Sequence, residues 1–143
     1  MENNEKSTDI VSGYYDDYKQ TQKEIFRMEA IKVRNSIFWI AALLFGSSLL
    51  GLAMANIVNE ETILYAIIDP AIFVAFGFLA IRQPMIAIIL AFLLFAAIII
   101  ITINTHGSRA AISGLIVKAI IIYFLFAGFQ SAKTAEQARK EMA

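Results

Sequence analysis

Four apolar runs, Ile37–Val58, Ile63–Ile81, Pro84–Ile103 and Ala110–Phe129, constrain this chain more than any other feature. Each is close to the ~20 residues that a helix needs to cross roughly 30 Å of hydrocarbon. A helix in a water-soluble bundle carries a polar face, and the third run has none. Barrel strands alternate apolar and polar residues over roughly ten positions, and these runs do not. Apolar residues make up 59% of the chain and charged residues 17%, and the charges collect at the two ends. The expected fold is all-α: a polytopic membrane protein with four antiparallel transmembrane helices and a cytoplasmic N-terminal helix. The transmembrane domain spans 37–130, with helices at 37–58, 63–81, 84–103 and 110–129. The connections are too short to hide a domain, so consecutive helices should be neighbours running in opposite directions.

Basic residues set the expected orientation. Lys6, Lys19, Lys23, Arg27, Lys32 and Arg34 precede the first run, Arg82 sits in the second turn, and Lys133, Arg139 and Lys140 follow the last run. Alternating spans put all of these on one side, with Arg109 alone on the other and Lys118 within the membrane. The positive-inside rule then places both termini in the cytoplasm. Arg27, Lys32, Arg34 and Arg82 are the expected interface anchors. A cleavable signal peptide is not expected, because residues 1–36 are too long and polar for an n-region and the first apolar run has full spanning length.

The ends divide by composition. Residues 1–13, closing on Gly13, read as a disordered tail. Residues 14–36 lack glycine and proline and read as a helix, either lying on the membrane surface or docking a partner. The cluster Tyr14-Tyr15-Asp16-Asp17-Tyr18 is an unusual lipid-facing surface and favours a protein contact. Residues 131–143 read as a helical cytoplasmic tail, in which Glu136 and Lys140 can pair.

Two ionisable residues lie inside the apolar runs, Asp69 and Lys118. A charge in hydrocarbon is expensive and persists with a partner or a wet cavity. Counting from the neighbouring turns, Asp69 is roughly 10 Å and Lys118 roughly 13 Å along their helices, so an Asp69–Lys118 pair is expected. The alternatives are Asp69 as the N-cap before Pro70 and Lys118 snorkelling to the surface. Small residues let helices approach closely. Ser47, Gly51 and Ala55 form one such line, and Ala110, Gly114 and Lys118 another. Both are expected to face inward, beside Ser48, Asn56 and Tyr65.

Catalytic motifs are absent. The chain has no cysteine, no phosphate-binding glycine loop, no HExxH and no nucleophile elbow. The lone His106 has no second histidine to share a metal or a haem with. No enzyme activity, cofactor or metal is expected, and the tails carry no nucleic-acid motif. The expected partners are the lipid bilayer and either other membrane subunits or further copies of the chain.

The stretches Gly77-Phe-Leu-Ala-Ile-Arg82-Gln-Pro84 and Ile112-Ser-Gly114-Leu-Ile-Val-Lys118, continuing to Gly128 and Lys133, resemble small four-helix bacterial membrane proteins of uncharacterised function. In that group a basic segment precedes the helices, and the last helix carries a lysine after a glycine. The resemblance implies a bacterial cytoplasmic (inner) membrane and no activity. The Asp69-Pro70 pair has no counterpart in it. The function expected is therefore an accessory or scaffold subunit of a larger membrane complex, with a homo-oligomeric transporter or channel using Asp69 and Lys118 as the alternative.

Overall fold

The computed structural model describes residues 2–56, 59–107, 112 and 114–143. Its helices are α1 (Glu2–Ala55), α2 (Glu60–Ala80), α3 (Pro84–His106) and α4 (Leu115–Met142), and the described residues include no strand. All four helices are long and apolar enough to cross a membrane.

The helix ends follow from local chemistry, and several depart from expectation. Helix α1 is continuous over 54 residues, about 80 Å. The expected disordered tail over 1–13 is helical from Glu2. Gly13 costs only ~1 kcal/mol in a helix interior, and a segment that extends an existing helix pays no nucleation cost. Asn56, at φ 53°, ends α1, because asparagine tolerates the left-handed region. The end of the expected first span, Ile57–Val58, lies outside the described residues.

Helix α2 opens with Glu60 and Glu61 in its first turn, where the helix dipole favours acids. It runs unbroken through Pro70. Asp69 therefore sits in a helix interior and does not cap one. Pro84 opens α3, where its missing N–H is harmless, and Gly107 closes it at φ 76°. Gly114 adopts φ 71° and α4 starts at Leu115; Ala110, the expected start of the fourth span, lies outside the described residues. Helix α4 then continues to Met142.

Helix α1 is the spine. Its most extensive interfaces are with α4 and α2, while α3 packs on both of those. The two flanking helices share no comparable interface. The core gathers Val33, Ile37 and Ile40 of α1, Phe73 of α2, Ile88 of α3, and Ile121 and Leu125 of α4, all fully or almost fully buried. Past Ser48 the spine loses its neighbours, and Leu50 and Met54 are exposed. The bundle is thus open at its Ala55 end and tight at its Arg82 end.

At the tight end the apolar run of α4 gives way to a polar segment with a buried alanine stripe: Ala132, Ala135 and Ala138. Alanine at this spacing permits close approach, and Gln22 and Ala30 on α1 are buried as well. Two glycines mark the nearest helix approaches. A Cβ on Gly77 would strike the Phe38 ring, and one on Gly128 would lie 2.8 Å from Ile88 Cδ1 and 3.4 Å from Ser36 Cβ.

Candidate functional site

The polar feature of the apolar bundle is a cleft of about 250 Å³ between α1, α3 and α4. Its walls are apolar, with Phe95 and Ile121 at the core side, and its polar lining comes from Ser47, Thr102 and Lys118. Lys118 is half-buried in the first turn of α4, and its backbone N–H donates to the Gly114 carbonyl at 3.0 Å. Both hydroxyls donate back into their own helices, Ser47 to Leu44 O at 2.9 Å and Thr102 to Ile98 O at 2.7 Å. That bond satisfies a hydroxyl proton in an apolar setting and leaves the oxygen able to accept. The cleft thus joins one lysine and two hydroxyl residues in an otherwise apolar lining.

The expected Asp69–Lys118 pair is not among the ion pairs of the described residues. The ion pairs among the described residues are Lys32–Glu29 at 2.7 Å and Arg139–Glu136 at 3.8 Å. Asp69 lies half-buried on α2, beside Pro70 and in line with Phe73. The two helices flank α1 without a substantial interface of their own, so similar depth does not bring their side chains together. The start of α4 at Leu115 sets the position of Lys118. It stands three residues past Leu115, about 4.5 Å along the helix, and Arg109 lies outside the described residues.

The small-residue lines are placed differently from expectation as well. Gly51 and Gly114 meet nothing within 4 Å, and Ala55 is exposed. Ser47 faces the cleft. Ala110 lies outside the described residues, as do the residues on either side of it. Of the expected polar neighbours, Ser48 is half-buried, Asn56 ends α1 and is exposed, and Tyr65 is 72% exposed. Close approach falls instead on Gly77 and Gly128, which continue the buried rows Phe73–Gly77–Ala80 and Ile121–Leu125–Gly128–Ala132. The signal was the heptad-like spacing of these rows, not a glycine or serine repeated every fourth position.

The second feature is the far end of α1. Tyr18 Oη donates to Glu141 Oε2 at 2.9 Å, which marks where α4 stops. Beyond it α1 continues to Glu2, about four turns, and Ile10, Tyr14 and Tyr15 are 73%, 79% and 65% exposed. With Val11 and Tyr18 these side chains line one apolar groove. The basic anchors sit between this arm and the apolar segment. Lys32 pairs with Glu29, Arg34 stands 5.9 Å over the Phe38 ring and bonds Asn35, and Arg27 and Arg82 are exposed.

The Glu141 carboxylate that accepts from Tyr18 holds its phenol above the ordinary tyrosine value. A raised value in the folded state means that the bond contributes fully below pH ~10 and is lost as pH rises through the raised value. The phenolate absorbance of the wild type minus that of Tyr18→Phe should therefore titrate with a midpoint above 10. A midpoint at or below the ordinary value would show that the bond is absent in solution.

Among the described residues no group of three acidic, histidine or cysteine side chains could hold a metal ion. No protein-family model, characterised protein or solved structure matches this chain.

Proposed function

We propose that this chain is a non-enzymatic multi-pass protein of a bacterial cytoplasmic membrane, acting as an accessory or scaffold subunit of a larger membrane complex. The observation that carries this reading is the arm of α1. It stands clear of the bundle and presents Ile10, Tyr14 and Tyr15 to water. Isolated exposed apolar residues are ordinary, but a contiguous aromatic patch on a rigid helix is typical of an interaction site. The occupant is another membrane-complex protein, because the arm lies too far along α1 from the apolar segment to rest on lipid.

The membrane frame of this proposal has four antiparallel spans with both termini cytoplasmic. Contacts support that direction: Tyr18 meets Glu141 near the two chain ends, and Trp39 stacks on Phe124 at 6.4 Å deeper in the bundle. The lysines and arginines of both tails and of Arg82 then share the cytoplasmic side. The bacterial membrane rests on the resemblance of residues 77–133 to small four-helix proteins of that compartment.

The Lys118 cleft favours a second reading, a homo-oligomeric transporter or channel. One four-helix chain encloses little space, so several copies would have to build the path. Flux from reconstituted vesicles separates the two. The accessory reading predicts no flux above empty vesicles for either the wild type or Lys118→Met. Flux that the wild type supports and Lys118→Met abolishes, with the helical bundle intact, would make transport the function.

A further inference from the structure

We infer that the tight end of the bundle carries a binding site for one anionic phospholipid headgroup, between the start of α3 and the polar segment of α4. A cleft of about 330 Å³ is lined there by Gln83, Met85 and Ile86 on one side and by Glu136, Arg139 and Lys140 on the other. Its chemistry is divided. Met85 and Ile86 open the most apolar helix of the chain, and Ile86 is exposed. They form a wall that acyl chains can cover. Arg139 and Lys140 supply two cations, and the exposed Arg82 stands next to Gln83.

Glu136 takes part in the charge balance without cancelling it. It stands 3.8 Å from Arg139, too long for a tight bidentate pair, so a phosphate can compete for the guanidinium. The two cations outnumber the one carboxylate, so the cleft is net positive, and Arg82 beside it adds to that charge. Arginine is the side chain best matched to phosphate oxygens.

The alanine stripe explains why these residues converge. Ala132, Ala135 and Ala138 turn inward and are buried, so Glu136, Arg139 and Lys140 fall on the flank beside α3. Helical side chains lean toward the N-terminus of their own helix. On α4 that direction is toward the apolar segment, which brings the cations back to Met85 and to headgroup level. A water-soluble anion would use the cations and leave the apolar wall bare. A lipid uses both.

This inference goes beyond the proposed function and rests only on its membrane frame. The test is native mass spectrometry of the full chain released from phosphatidylcholine bilayers doped with phosphatidylglycerol. We expect one retained phosphatidylglycerol per chain. The variant Arg139→Gln/Lys140→Gln should bind it about 30-fold more weakly, from ~1 kcal/mol per basic residue near an anionic surface. Lys133→Gln, an exposed cation of α4 outside the cleft, should bind as the wild type does. Both Arg139 and Lys140 are exposed, and thermal unfolding of the double variant in detergent checks that the bundle survives.

Equal retention by wild type and double variant would overturn the site, as would retention of phosphatidylcholine in equal measure. Retention of inorganic phosphate in place of lipid would overturn the lipid assignment. Failure of the chain to enter bilayers at all would overturn the membrane frame itself, a result distinct from any of these.

Discussion

Gly77→Leu should destabilise the bundle while Gly51→Leu leaves it intact or slightly firmer. The Gly77 Cβ position is already occupied by the ring of Phe38, and that ring is fixed edge-on to Phe78 at 5.7 Å. Inserting a side chain there forces either the ring off its rotamer or α2 away from α1, at a cost of about 1–3 kcal/mol. The gain in helix propensity on losing a glycine, ~1 kcal/mol, does not offset it. Gly51 has nothing within 4 Å, so leucine there collects the propensity gain without a clash. Unfolding of both variants in detergent, followed by circular dichroism, gives the comparison. If Gly51→Leu is the damaging change, the helix interfaces described above are wrong.

The second large effect concerns the arm. Ile10→Glu combined with Tyr14→Glu should abolish association with the proposed partner and leave the melting of the bundle unchanged. Apolar and aromatic anchors at an interface centre each cost about 2 kcal/mol or more when lost, so the pair weakens binding about a thousandfold. Both side chains are exposed in the isolated chain, so their replacement removes no intramolecular packing. Co-purification of tagged wild type and double variant from the same membranes measures it. Undiminished recovery of a partner with the double variant would move the docking surface elsewhere.

Fold class was legible in the sequence because hydrocarbon length is a strict constraint. Any run such as Pro84–Ile103, apolar on all sides, has few alternatives to a helix of spanning length. The α3 start at Pro84 and the helical tail through Lys140 were legible for the same local reasons, a proline at the first position and a good helix-forming composition. The segment 1–13 is helical from Glu2, where its composition taken alone points to a disordered tail. Attached to a formed helix it needs only propagation.

The candidate site was legible as residues but not as geometry. Lys118 stood out as a cation in an apolar run, and it does line the polar cleft. Asp69, its expected partner, lies on a helix that shares no substantial interface with α4. Depth along a helix can be counted from a turn, whereas which helices are diagonal depends on packing across the whole bundle. Gly114 shows a related limit. Expected to be a packing residue, it adopts a left-handed conformation just before α4, and a glycine offers both uses equally at the level of sequence. Gly77 and Gly128 stand out less in the sequence because each follows large buried residues in its row, Phe73 before Gly77 and Ile121 and Leu125 before Gly128.

The measurement that bears most directly on the accessory-subunit proposal is the mass and composition of the particle that forms when the full chain is extracted gently from its own membrane at native abundance. A defined particle containing this chain in fixed ratio with a different membrane protein is the result the proposal predicts. Particles built from this chain and lipid alone would contradict it, and would shift attention to the Lys118 cleft and to flux.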